Sequence, residues 1–149
     1  MPIVARRWYP GPVAQIPIHP GLFTLPGDPR GPKLLAARCP SCAGLHFPAG
    51  ETCPYCGTDG CREEAIGGVG RLSLWTAVRT APPGYRGPVP YGFGVVDLPE
   101  GLRVVARLAS AEPERLREGQ PVDLVIAPLF RNDAGEDVLS YAYAPREER

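Results

Sequence analysis

From residue 69 onward, apolar and polar side chains alternate with a period of two. Leu72, Leu74, Thr76 and Val78 alternate with Arg71, Ser73, Trp75, Ala77 and Arg79, the pattern of a half-buried strand. A Pro/Gly loop over 80–90 follows, then Tyr91–Leu98 and Leu102–Leu108, two apolar runs flanking Pro99-Glu100-Gly101, which predict a hairpin. Between Ser110 and Gly119 a serine in the N-cap position, acids in the first turn and a terminal glycine predict a short helix. Two further strands are expected at Val122–Ala127 and Val138–Ala144, joined by a polar loop containing Asn132-Asp133-Ala134-Gly135.

Five strands with a short helix between the third and fourth is the order of an OB-fold, so residues 67–145 are expected to close into a five-stranded barrel. On the first strand a barrel interior takes Leu72, Leu74 and Val78. That places Trp75 outside with Arg71, Ser73 and Arg79, either as a lone exposed aromatic or as an interface anchor.

The pattern is absent upstream. Residues 1–32 hold twelve Gly or Pro, which excludes a continuous helix or a central strand there. Residues 1–36 therefore read as an extended arm. Its Trp8, Ile16, Ile18, Leu22 and Phe23 are costly to leave in water, so the arm either wraps its own domain or covers a partner. Residues 146–149 form a charged tail.

Residues 37–66 carry all five cysteines. Cys39-Pro-Ser-Cys42 and Cys53-Pro-Tyr-Cys56 are two C-x-x-C knuckles ten residues apart. Each knuckle turns two thiolates the same way, and two facing knuckles make a tetrahedral sulfur cage for one structural zinc ion, with no position left for substrate. Iron in a rubredoxin-like cage is the chemical rival, but the spacer is much shorter than in rubredoxins. Gly57 allows the turn after the second knuckle, while Ala43 stands at the matching place in the first. Cys61 reads as a small buried or incidental thiol, and His46 as a packed or surface side chain. Gly67-Gly68-Val69-Gly70 precedes a strand and no helix, so it reads as a flexible joint between ribbon and barrel and not as a phosphate cradle.

Composition narrows the function. The chain has 149 residues, 16 basic and 16 acidic, with 18 glycines and 20 prolines, and 44% of its residues are hydrophobic. So many chain-breakers exclude a long helical bundle, and no apolar run approaches the ~20 residues of a membrane-spanning helix. No targeting segment is evident, which suggests a cytoplasmic protein with reduced thiols. A ribbon next to an OB-fold raises single-stranded nucleic acid as a ligand. Zero net charge, a single lysine (Lys33) and the lack of an arginine run argue against it. No catalytic constellation stands out, so no catalytic residue is expected.

The string Leu34-Leu-Ala-Ala-Arg-Cys-Pro-Ser-Cys42, then His46-Phe-Pro48 and Cys53-Pro-Tyr-Cys-Gly57, resembles the zinc-ribbon/OB-fold acyl-CoA-associated proteins, domain-of-unknown-function family thirty-five. Gly68–Thr76, Pro90-Tyr91, Val95–Gly101, Gly119–Val122 and Val138–Pro145 extend the resemblance over roughly residues 20–145. It implies zinc ligation by Cys39, Cys42, Cys53 and Cys56. It also implies a non-catalytic subunit in a hetero-oligomer with a thiolase-family catalytic subunit, such as a benzoylsuccinyl-CoA or acetoacetyl-CoA thiolase. Relatives also partner MaoC-like enoyl-CoA hydratases or thiolase-like aldolases. Acyl-CoA is then a possible ligand within the complex, with Trp75, Arg79 and Arg86 facing the partner or the CoA phosphates.

Overall fold

The structure is a computed structural model and describes residues 13–110, 112 and 115–146. Trp8 and the charged tail beyond Arg146 lie outside the described residues. Among the described residues there are nine strands: β1 (Gln15–Pro17), β2 (Leu34–Arg38), β3 (Leu45–His46), β4 (Arg62–Ile66), β5 (Val69–Val78), β6 (Tyr91–Asp97), β7 (Arg103–Leu108), β8 (Pro121–Arg131) and β9 (Asp137–Pro145). The molecule is mainly β, and no helix among those residues is long and apolar enough to cross a membrane.

Strands β5 to β9 form the barrel. The order β9-β7-β6-β5-β8 is closed by the pairing of β8 with β9, and β7 meets β9 in parallel at Leu108 and Tyr143. Closure in this order is OB topology, and the barrel is partly open, since β5 pairs with β8 only over Val69–Arg71 and β7 with β9 at one pair. The expected β6–β7 hairpin forms with Asp97 opposite Arg103, its turn fastened by the Leu98 amide on the Leu102 carbonyl at 2.8 Å. The β8–β9 hairpin runs longer than the apolar pattern, up to Arg131 and Asp137, with Leu129 as the extra residue of a bulge between Pro128 and Phe130. Asn132 Oδ1 then accepts the amides of Ala134 and Glu136 at its tip.

Residues 111, 113 and 114 of the expected helix lie outside the described residues. Of the rest only Arg115 is helical, in a 3-10 turn. Ser110 Oγ accepts the Glu112 amide at 3.2 Å, and Gly119, with φ 79°, lies in a turn that leads into β8 and does not end a regular helix. Leu116 from this segment is buried in the core, beside Gly92 on β6.

The second sheet, β3-β2-β4, is antiparallel throughout and has β2 at its centre. Thus Leu34–Arg38, whose first three residues belong to the stretch read as arm, is the central strand of the ribbon. The described part of the arm wraps its own domain. β1 adds to β9 in parallel, Phe23 is buried, and the Phe23 position bridges to Leu34. One hydrophobic cluster runs through both units, joining Leu34, Ala36 and Ile66 of the ribbon to Leu72, Val96, Leu98 and Tyr143 of the barrel. The expected flexible joint is pinned. Gly67 donates its amide to Glu100 at 2.8 Å and accepts the Tyr143 hydroxyl at 2.7 Å.

One expectation is overturned on β5. Leu72 pairs with Val96, but the next pair is Leu74 with Val95, so Ser73 is an extra residue in a β-bulge. Side chains alternate across a strand, so one extra residue exchanges the two faces for everything beyond it. Leu74 therefore points out and is 66% exposed, whereas Trp75 turns inward, half-buried against the core.

Candidate metal centre

The chain folds back sharply after each pair of cysteines. The Ala43 amide bonds the Cys39 carbonyl at 3.1 Å, and the Gly57 amide bonds the Cys53 carbonyl at 2.9 Å. Both closing residues need a left-handed backbone, with φ 61° at Ala43 and 79° at Gly57. Alanine pays a steric cost there that glycine does not. The Arg38 guanidinium donates to the Ala43 carbonyl at 2.9 Å while clamping Glu64 of β4, which fixes the first knuckle to the sheet. Tyr55 lies over Gly44, where any Cβ would strike its ring, and its hydroxyl reaches the Leu45 carbonyl at 2.8 Å. The two knuckles are thereby held face to face.

Cys39, Cys42, Cys53 and Cys56 all present sulfur atoms within 4.8 Å of one another. Cys39 Sγ is 3.6 Å from Cys56 Sγ, and Cys42 Sγ is 3.7 Å from Cys53 Sγ. A tetrahedron of sulfurs around zinc, with Zn–S near 2.3 Å, has edges of about 3.8 Å, so the cage fits the ion. No disulfide joins any of the four. Amides aim at the sulfurs: Ser41 and Cys42 at Cys39 (3.3 and 3.4 Å), Gly44 at Cys42 (3.4 Å) and Tyr55 at Cys53 (3.4 Å).

The thiols differ in acidity. The Cys42 amide leads the effects that lower Cys39, and hydrogen bonds from Thr58, first from its hydroxyl, bring Cys56 down to about 6. The Gly44 amide favours the Cys42 thiolate, yet desolvation and the neighbouring sulfurs outweigh it and push Cys42 up to about 12. Four thiolates this close repel, so a divalent cation is what allows all four to be ionised together near neutral pH. Two nearby candidates stay outside the cage. His46 is buried, with Nε2 3.1 Å from the Gly50 amide. Cys61 Sγ lies 4.0 Å from the Thr58 carbonyl, and burial pushes its thiol up.

Trp75, Arg79 and Arg86, the residues expected to face a partner or CoA, lie in different surroundings. Trp75 is partly inside the barrel, and Arg79 is exposed at the end of β5. Arg86 stacks over the Phe130 ring at 4.7 Å and reaches Asp133 at 3.4 Å, tying the 79–90 loop to the β8–β9 hairpin. The bulge that moved Trp75 inward has a sequence signal that the alternation obscured. Gly92 and Gly94 leave two inner positions of β6 without side chains, and Gly94 pairs directly with Trp75. The indole occupies the side of the strand where they leave room.

Comparison with known proteins follows the same division of the chain. Residues 29–60 match the family described as "ChsH2, rubredoxin-like zinc ribbon domain", and residues 63–127 match "ChsH2, C-terminal OB-fold domain". Over 111 residues the chain is 33% identical to a "DUF35 domain-containing scaffold protein" of Pyrococcus furiosus, covering 74% of this chain and 80% of that one. Over 125 residues it is 33% identical to "Benzoylsuccinyl-CoA thiolase subunit BbsA" of Thauera aromatica, covering 84% and 85%. Among solved structures it is similar to a chain of "Ltp2-ChsH2(DUF35) aldolase", with a TM-score of 0.61, 26% identity and coverage of 76% of this chain and 84% of that one.

Proposed function

Because the chain belongs to the family that couples a ChsH2-type rubredoxin-like zinc ribbon to an OB-fold domain, we propose that it is a non-catalytic subunit of an acyl-CoA enzyme of the thiolase or aldolase type, with a thiolase as the first expectation. The observation that carries this reading is the similarity to a thiolase subunit over ribbon and barrel alike, across more than four-fifths of both chains. Similarity to a chain of an aldolase assembly supports the same class of partner.

The site chemistry agrees with a supporting role. In this reading Cys39, Cys42, Cys53 and Cys56 hold one zinc ion, and four thiolates fill its coordination sphere. The ion then supplies folding energy to a ribbon that has few core residues of its own. The ribbon shares its core with the barrel, so the metal steadies the whole subunit. Acyl-CoA binds in the complex, at a site shared with the catalytic subunit, and the 79–90 loop presents Arg79 and Arg86 toward its phosphates. The assembly is a hetero-oligomer acting in the cytoplasm.

Co-expression tests the reading. Thiolase-fold and aldolase-fold subunits from the source organism are each produced with the chain, and the complex is purified through a tag on the catalytic subunit. Stoichiometric recovery of the chain, zinc-loaded, with one of them is the expected result. Failure of every such subunit to retain it would overturn the proposal.

A further inference from the structure

The bulge on β5 has a second effect, on the outer surface of the barrel. Beyond it, Leu74 pairs with Val95 of β6, which pairs with Val105 of β7, so three aliphatic side chains form one row across three strands. Leu74 is 66% exposed, Val105 is 55% exposed, and Phe93 in the adjoining row is 42% exposed. In OB-folds the face built on the second and third strands is the usual ligand surface, and here those strands are β6 and β7.

Charge identifies the kind of occupant. The rows on either side of the aliphatic one are Thr76–Phe93–Arg107 and Arg71–Asp97–Arg103. Three of the four corners are therefore arginines, and the one carboxylate, Asp97, is already 2.8 Å from Arg103. Any two-fold pairing of this face with a second copy sets an arginine opposite an arginine, which disfavours self-association. Arg107 is half-buried; its Nε is enclosed and unpartnered, and no carboxylate among the described residues pairs with its terminal nitrogens. A guanidinium held this way beside an apolar row suits a carboxylate brought by another molecule. Phe93 is the one aromatic in these three rows, a single stacking platform where strand-binding faces carry one for each of several successive bases.

We infer that the outer face of β5–β6–β7 is the surface on which the catalytic subunit docks, through an aliphatic patch bordered by carboxylates, one of which pairs with Arg107. This rests on the reading of the chain as a subunit of such an enzyme. Leu74 is the central anchor and Arg107 sets the register.

Isothermal titration of the chain against the catalytic subunit recovered by co-expression tests the surface. Leu74→Asp is expected to weaken binding at least about thirtyfold and Arg107→Met about tenfold. Leu25→Asp, at a position that is half-exposed on the arm, is expected to stay within about twofold. Zinc content and far-ultraviolet dichroism confirm that each variant is folded. If wild type binds and Leu74→Asp binds equally well, the docking surface is wrong while the subunit reading stands. If wild type binds no catalytic subunit, the reading fails and the surface with it. A wild-type homodimer that Leu74→Asp dissociates, or a single-stranded oligonucleotide whose binding Leu74→Asp abolishes, would give the face to a different occupant and overturn the inference.

Discussion

Tyr143, fully buried on β9, donates its hydroxyl hydrogen bond to the Gly67 carbonyl 2.7 Å away. The last barrel strand is thereby tied to the residue at which the ribbon ends. Tyr143→Phe keeps the ring but leaves that carbonyl unpaired, so it should destabilise the protein by about 1–3 kcal/mol in urea unfolding. The same phenol gives the pH dependence a sign. Burial, assisted by Glu100 and Tyr141, raises it above the ordinary tyrosine value. Because the folded-state value is the higher one, its stabilising contribution is whole below about pH 10 and is lost as pH rises from there through the folded value. Absorbance titration near the phenolate band should show one tyrosine ionising only with alkaline unfolding, and Tyr143→Phe should remove that component.

Gly94 occupies the inner face of β6 at the bulge, and a Cβ there would collide with the Leu74 carbonyl and the Trp75 backbone. Neither obstacle is a flexible side chain. Gly94→Ala should therefore cost at least about 2 kcal/mol, or force the bulge out and return Leu74 inward. Thermal unfolding measures the first, and quenching of Trp75 fluorescence by iodide reports the second.

Much of this architecture is legible in the residues. The two knuckles at Cys39–Cys42 and Cys53–Cys56 identify the cage, because thiolate geometry tolerates few other spacings. Strand order gives the barrel, because a period of two survives wherever one face is buried. The bulge is harder to see. A single extra residue leaves local alternation intact on both sides and changes only which side faces the core, so Leu74 and Trp75 exchange places without any break in the pattern. The role of Leu34–Arg38 was hidden differently. All but the last of its side chains are buried, so it shows no alternation at all, and only one of its neighbours, β3, is close in sequence, while β4 returns from beyond the second knuckle.

Ala43 takes the left-handed conformation that Gly57 takes in the second knuckle. Ala43→Gly should relieve that cost and stabilise the zinc-loaded protein by about 1 kcal/mol, less the extra chain entropy glycine adds to the unfolded state. Chemical denaturation of the two proteins in parallel checks the direction.

Metal removal should act on the ribbon first. Chelation near neutral pH, or Cys53→Ser, is expected to release one zinc per chain and to expose the amides of β2, β3 and β4 to hydrogen exchange. β6 and β7 should remain protected, because they pair with each other and with barrel strands only. Leu34 and Ile66 also pack in the common cluster, so the barrel should melt at a lower temperature once the ribbon is lost.

The central claim is that the chain supports acyl-CoA chemistry without performing it. Its most direct test is the acyl-CoA turnover of three purified samples at equal concentration: the chain alone, the catalytic subunit alone and the reconstituted complex. The account predicts no turnover by the chain, full turnover by the complex, and a loss of rate or of acyl-CoA affinity when the chain is withheld. Turnover by the chain alone, or a catalytic subunit indifferent to its presence, would contradict it.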